Sequence, residues 1–261
     1  MNELEELAGF ARELAAAARA ETLPRVRGAA AENKAGEGKY DPVTEADRAA
    51  ERAIRRRIEA AFPGHGISGE EYGETAGAGR WCWSLDPIDG TRAFVCGLPT
   101  WVTLIGLLED DRPVLGLIDA PRLDELYIGY GRRAVLASGG REEEIAVSGC
   151  AELRDARVAT TDPDLLGPAG RAAFEGIARE ARLVRLGLDG YGYARLAAGT
   201  IDLVIEEGLK PHDYNAVIPL IRAAGGRVGD WRGGEDYEGG RIVAAASDAL
   251  FEAALERLRA A

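Results

Sequence analysis

Between Trp81 and Tyr130 the chain carries four short apolar runs, WCWSL, WVTLIGLLE, PVLGLIDA and DELYIGY, parted by turn residues, and beyond Arg157 the pattern changes to an alternation of strand-like and helix-like segments. That switch constrains the fold most. Short, regularly interrupted apolar runs predict an antiparallel sheet in the first half. Alternation predicts a mixed or parallel sheet covered by helices in the second. There the chain reads as strand RVAT, a helix around 164–180, strand RLVRLG, a helix around 190–199, strand IDLVIEE, a helix over 214–224, short strands at 226–228 and RIVAAAS, and a last helix. At the other end, MNELEELAGFARELAAAARA predicts an amphipathic helix, since Glu3, Glu5 and Glu6 stand where a secretory leader would be positive. TEADRAAERAIRRRIEAAF predicts a second: Thr44 is its N-cap, Asp47 the capping-box acid, Ala46, Ala50, Ile54 and Ile58 its apolar face, and Pro63 and Gly64 its end. The stretch between them, GAAAENKAGEGKYDPV, predicts a loop or a short hairpin. No repeat or low-complexity linker intervenes. The expected organisation is an N-terminal α+β half, residues 1–150, and a C-terminal α/β half, residues 151–261, packed as one catalytic unit.

A chain of 261 residues that is 46% hydrophobic can build a sizeable core, and its net charge of −12 disfavours nucleic acid while favouring cations. Three scattered cysteines, Cys82, Cys96 and Cys150, and two histidines, His65 and His212, supply neither a disulfide framework nor a zinc site. No stretch approaches the roughly 20 apolar residues that span a bilayer. A reduced, cytoplasmic setting without nucleic-acid or membrane partners is the expectation.

SLDPIDGTRAF, residues 84–94, sets Asp86 and Asp89 three apart with Pro87 between them and Gly90 behind. Two acids so close repel unless something positive lies between, and an oxygen-only donor set suits a hard divalent cation such as Mg²⁺. Glu70 and Glu71 follow a short loop, Asp213 opens a later helix, and Asp47 lies in the first turn of its own. Two ions about 3.5–4 Å apart can activate water and steady a leaving oxygen in phosphoryl transfer. Gly90, Thr91 and Arg92 offer backbone amides to phosphate oxygens. Plainer readings stay open: Asp47 and Asp213 as helix caps, Glu70 and Glu71 as solvated acids, Gly90 as a turn glycine.

DPIDGT at 86–91, GEE at 69–71, PVTEAD at 42–47 and HDYNAVIPLIRAAGG at 212–226 together resemble the inositol monophosphatase family of metal-dependent, lithium-sensitive phosphatases. The resemblance implies a layered αβαβα sandwich of the inositol monophosphatase and fructose-1,6-bisphosphatase type, a homodimer, and two or three Mg²⁺ ions. By matching positions, Glu70, Asp86 and the carbonyl of Ile88 would hold one ion, and Asp86, Asp89 and Asp213 a second. Asp47 and Thr91, with Glu70 nearby, would orient the attacking water, with no covalent phosphoenzyme. Lys34, with Lys39 as a rival, would lie near the phosphate. DGTRAFVCGLPTWVTLIGLL and GLDGYGYARLAAGTIDLVIEEGLKPHDYNAVIPLIRAAGG resemble the histidinol-phosphate phosphatase branch, with Asp189 and Glu206 lining the alcohol pocket. Acids there would attract a cationic amino alcohol, although Asp189 also reads as a helix N-cap and Glu206 as a strand-end surface acid. Two departures are His212, where the wider family has tryptophan, and Val102, where glycine is common. Trp81, Trp83, Trp101, Tyr191 and Tyr193 read either as core or as an imidazole cradle. The expected activity is therefore hydrolysis of L-histidinol phosphate. The alternatives are an inositol or sugar monophosphatase and a non-catalytic binder of phosphorylated metabolites.

Overall fold

The computed structural model describes residues 3–26, 31–33 and 42–259. Lys34 and Lys39 lie outside them. The chain starts with α1 (Glu3–Thr22), then a two-stranded antiparallel pair of β1 (Ala31–Asn33) and β2 (Pro42–Thr44), then α2 (Glu45–Ala61). Thr44 caps α2 as its sequence predicts: its hydroxyl accepts the Ala46 amide, and Asp47 accepts the Thr44 amide at 2.8 Å.

Next come β3 (Gly66–Gly69), β4 (Gly73–Thr75), β5 (Trp81–Asp89), the short α3 (Thr91–Val95), β6 (Val102–Glu109), β7 (Arg112–Ala120), β8 (Glu125–Tyr130), β9 (Arg133–Ser138) and β10 (Arg141–Glu144). They form an eight-stranded sheet in the order β10-β9-β8-β7-β6-β5-β3-β4. Its pairs are antiparallel apart from β3 with β5, which is parallel. Strands β4 and β10 escape sequence reading because GET and REEE have no apolar alternation.

The second half adds β11 (Arg157–Thr160), α4 (Pro168–Glu180), β12 (Leu183–Leu186), α5 (Gly190–Ala197), β13 (Leu203–Glu206), α6 (Pro211–Tyr214), α7 (Val217–Ala223), β14 (Arg227–Gly229), β15 (Ile242–Ala245) and α8 (Asp248–Leu258). The five strands form a mixed sheet ordered β12-β11-β13-β15-β14. Helix α4 starts at Pro168 rather than near 164, with proline in its first turn, where a missing amide costs nothing. The helix expected over 214–224 is two helices. Pro219 has no amide to give the carbonyl of Asn215, so the helical hydrogen bonding lapses there although Asn215 and Ala216 keep helical dihedrals, and α7 runs from Val217.

Alternation along the strands builds five layers. One face of the large sheet, with Trp83, Leu85, Ile105, Leu107 and Leu117, packs on α1 and α2. The opposite face, with Val102, Leu104 and Ile118, shares a core with α5, α7 and the inner side chains Ala159, Val204 and Ala244 of the small sheet. The outer face of the small sheet, Val158, Leu203 and Val243, is covered by α4 and α8. This is the αβαβα arrangement the family resemblance implies. Trp83 and Trp101 are wholly buried and Trp81 nearly so, which places all three in the core.

The middle helix α7 is seated by missing side chains. Ser84, Gly106, Gly116 and Gly129 lie side by side across β5, β6, β7 and β8. Into this trough the chain lays Asn215, whose Nδ2 donates to Ser84 Oγ at 3.1 Å, then Ala216 and Leu220. A Cβ on Gly116 would stand 1.7 Å from the Ala216 carbonyl oxygen. Gly116→Ala should therefore cost about 1–3 kcal/mol of stability by overpacking, read as a lower urea midpoint with unchanged slope. A wild-type midpoint would mean that α7 does not depend on this close seating.

Candidate active site

Residues three apart in a regular strand face opposite sides of a sheet. Asp86 and Asp89 do not, because the register against β6 slips by one between them: Asp86 pairs with Leu104 and Asp89 with Val102. That bulge turns both carboxylates the same way. It is held by Thr103, whose hydroxyl donates to the Pro87 carbonyl at 2.8 Å, and by the Ile88 amide, which donates to Asp86 at 3.1 Å. The chain then reverses at Gly90, whose φ of 83° is left-handed, and Thr91 donates its hydroxyl to the Ile88 carbonyl at 3.0 Å. Val26, Ala46, Ile88, Phe94 and Trp101 pack as a small apolar floor.

Asp213 arrives from the other half on α6, where it accepts the Lys210 amide at 2.6 Å. Its capping role and its place in the cluster coexist. Oxygens of Asp86, Asp89 and Asp213 lie within 4.8 Å of one another. Glu70, in the turn after β3, adds negative potential at each of the three and at Asp47. Burial pushes the Asp86 and Asp89 carboxyls far above the ordinary range. Neighbouring acids push further: Glu70 and Asp89 on Asp86, Asp189 and Asp213 on Asp89. Asp213 is raised too, chiefly by burial. Three oxygen donors converging on one point, with His212 beside Asp213 as the nearest basic side chain, fit a hard cation; sulfur and imidazole ligands are not needed.

The cluster lies in a cleft of about 730 Å³ lined by Glu70, Ile88, Gly90, Thr91, Arg92, Asp189 and Glu206, among others. Asp189 is not a capping residue: although it precedes α5, its side chain makes no cap bond and instead lies against Gly90, where a Cβ would be 3.1 Å from Oδ2. Burial raises its carboxyl to about 6. Glu206 is not a surface acid either. It is 3% exposed and accepts the Thr161 amide and hydroxyl at 2.7 and 2.9 Å and the Thr160 hydroxyl at 3.3 Å. Burial raises it to about 8, against the pull of those bonds. Arg92 reaches across the cleft mouth, 3.6 Å from Asp162, and His212 stands 3.6 Å from Asp213.

Asp47 lies beneath the cleft rather than in its wall, 1% exposed, with Oδ2 taking both the amide and the hydroxyl of Thr44. Burial raises its carboxyl as well. Sequence reading missed Thr161 and Lys210, which line the cleft together with Tyr193, one of the aromatic residues weighed as a cradle, whose buried hydroxyl has no hydrogen-bond partner among the described residues. Thr161 was within reach, since it follows the strand RVAT and strand C-termini in α/β sheets face ligands.

The model for the inositol monophosphatase family matches residues 3–261. Over 255 residues the chain is 38% identical to the histidinol-phosphatase of Mycobacterium tuberculosis, covering 95% of this chain and 96% of that protein. It is 43% identical over 197 residues to the bifunctional phosphatase IMPL2, chloroplastic, of Arabidopsis thaliana, covering 74% of this chain but only 55% of that longer protein. Its fold superposes on an inositol monophosphatase structure from Zymomonas mobilis with a TM-score of 0.85, at 36% identity, over 99% of this chain and 100% of that one.

Proposed function

The chain belongs to the inositol monophosphatase family and is a phosphatase, and on that premise we propose that it is a Mg²⁺-dependent phosphomonoesterase hydrolysing L-histidinol phosphate to histidinol and phosphate. The observation that carries the proposal is the convergence of Asp86, Asp89 and Asp213 within 4.8 Å in a cleft that is also lined by two further acids, Asp189 and Glu206. The first group needs a cation, and the second suits a cationic leaving group.

In this reading Glu70, Asp86, the Ile88 carbonyl, Asp89 and Asp213 hold two or three Mg²⁺ ions. Bound Mg²⁺ supplies a Lewis acid and lowers the pKa of a water. The chain does the rest. Gly90, Thr91 and Arg92 present backbone amides to the phosphate. Thr91, anchored on the Ile88 carbonyl, orients the attacking water together with Glu70, and Asp47, buried and held by Thr44, adds negative potential at Asp86. Asp189 and Glu206 receive the ammonium of the amino alcohol. No nucleophilic side chain is called for.

A substrate panel tests the assignment. With Mg²⁺ present, kcat/KM for L-histidinol phosphate should exceed that for inositol 1-phosphate and for fructose 1,6-bisphosphate by about 100-fold, the discrimination expected when one ammonium to carboxylate contact worth nearly 3 kcal/mol is gained. Equal or better turnover of inositol 1-phosphate would transfer the assignment to that substrate. Absence of phosphate release from all three would favour a metabolite-binding role.

A further inference from the structure

Glu51 is a buried acid that the chemistry above does not use. It sits on α2 one turn after Asp47 and one before Arg55, and it is 0% exposed. Both of its oxygens are committed. Oε2 accepts the amide of Glu71 at 2.8 Å, while Oε1 accepts the amide of Tyr72 at 3.2 Å and Nε of Arg55 at 2.8 Å. A carboxylate cut off from water is costly unless its lone pairs are met, and the buried face around it is otherwise served by Ala46, Ala50, Ala53 and Ile54. Packing alone does not call for an acid here.

Its partners do. Arg55 continues the reach, donating to Thr75 Oγ1 at 3.0 Å and to the Gly73 carbonyl, so the two side chains grip the turn between β3 and β4 along its length. Glu70 opens that turn, and its own amide donates to the carbonyl of Leu85 at 3.1 Å, one residue before Asp86. Gly69 leaves the space for this: a Cβ there would stand 2.1 Å from Oε1 of Glu51.

We propose that Glu51, braced by Arg55, is a positioning residue that fixes Glu70 at the cation site while touching neither cation nor substrate. The proposal rests on the reading of Glu70 as a cation ligand. Glutamine is not a conservative replacement, because its amide group must face either the Glu71 N–H or the Arg55 Nε–H, donor against donor. Glu51→Gln therefore releases the turn and the acid it carries.

Two measurements on the full chain test it. In metal-free protein, hydrogen exchange followed by NMR should quicken at the Glu71 and Tyr72 amides in Glu51→Gln, with amides of the α1 and α2 core unchanged. In calorimetric titration with MgCl₂, Glu51→Gln should bind about 10–100-fold more weakly, the usual loss when a partner that orients a metal ligand is removed. Ile58→Val, a core change on the same helix, should lower stability and leave Mg²⁺ affinity alone. Unaltered protection at those two amides, or a Mg²⁺ affinity equal to that of Ile58→Val, overturns the proposal. Wild-type protein that takes up no Mg²⁺ would instead bring down the functional reading, and the clamp is then judged by the exchange rates alone. If Glu51→Gln does not fold, Arg55→Lys carries the same test with smaller shifts in the same directions.

Discussion

Asp89→Asn should reduce phosphatase activity by about 10³-fold while making the metal-free protein more stable, a pairing that separates an electrostatic site from a structural one. The activity loss follows from removing one of three converging charges. The gain in stability follows from linkage. Asp86, Asp89 and Asp213 have folded-state pKa values raised above their ordinary ones, so the folded, metal-free protein favours their protonated forms. Their contribution is fully present below the ordinary carboxylate range and is lost as pH rises through it toward the raised values. Metal-free wild type should therefore lose Tm between acidic and neutral pH, and Asp89→Asn should flatten that slope. Mg²⁺ should restore the loss in wild type. At 100 times its Kd the ion adds about 2.7 kcal/mol, or about 5–10 °C in a chain of this size. Differential scanning fluorimetry across pH, with EDTA or MgCl₂, reads all of these together. A wild-type Tm indifferent to Mg²⁺, or an active Asp89→Asn, would rule out the cation cluster.

Glu206→Gln should change which substrate the enzyme prefers. Glutamine keeps the shape: its carbonyl can accept both bonds from Thr161 while its amide donates to the Thr160 hydroxyl, so the fold is expected to survive. What disappears is the charge that a substrate ammonium would draw out. A charge-assisted contact worth about 2–3 kcal/mol predicts a fall of about 100-fold in kcat/KM for L-histidinol phosphate, with inositol 1-phosphate nearly unaffected. Because burial holds Glu206 at about 8, binding of the cationic substrate should strengthen as pH rises from 6.5 toward that value. The variant should lose this dependence. Equal losses for both substrates would mean that Glu206 supports the pocket without reading the leaving group.

The two kinds of sheet and most of the acids were legible in the sequence, for a common reason, while the layer order came only with the family resemblance. Alternation at 157–206 and the run of short strands from Trp81 are consequences of burial on two faces, and acids at element ends stand out against that pattern. Glu51 was not legible. On α2 it belongs to a stripe with Asp47 and Arg55, spaced by four, which reads as the wet face of an amphipathic helix until the turn carrying Glu70 is seen to cover it. The bulge between Asp86 and Asp89 is similar: spacing alone would point the two acids apart, and only the slipped pairing with β6 brings them together. Asp189 and Glu206 were ambiguous in sequence because capping and surface exposure depend on neighbours that only the folded chain supplies.

The glycine furrow beneath α7 carries a consequence for how such a centre can be tuned. Asp213 belongs to a segment whose height above the strands is set by how little volume lies under it at Gly106, Gly116 and Gly129. Adding a methyl group there would lift the neighbouring segment and widen the gap between one carboxylate and the other two, altering how well they share a charge without any ligand being replaced. The spacing of the acids is in that sense a property of sheet relief, set in part by residues that lie outside the cluster.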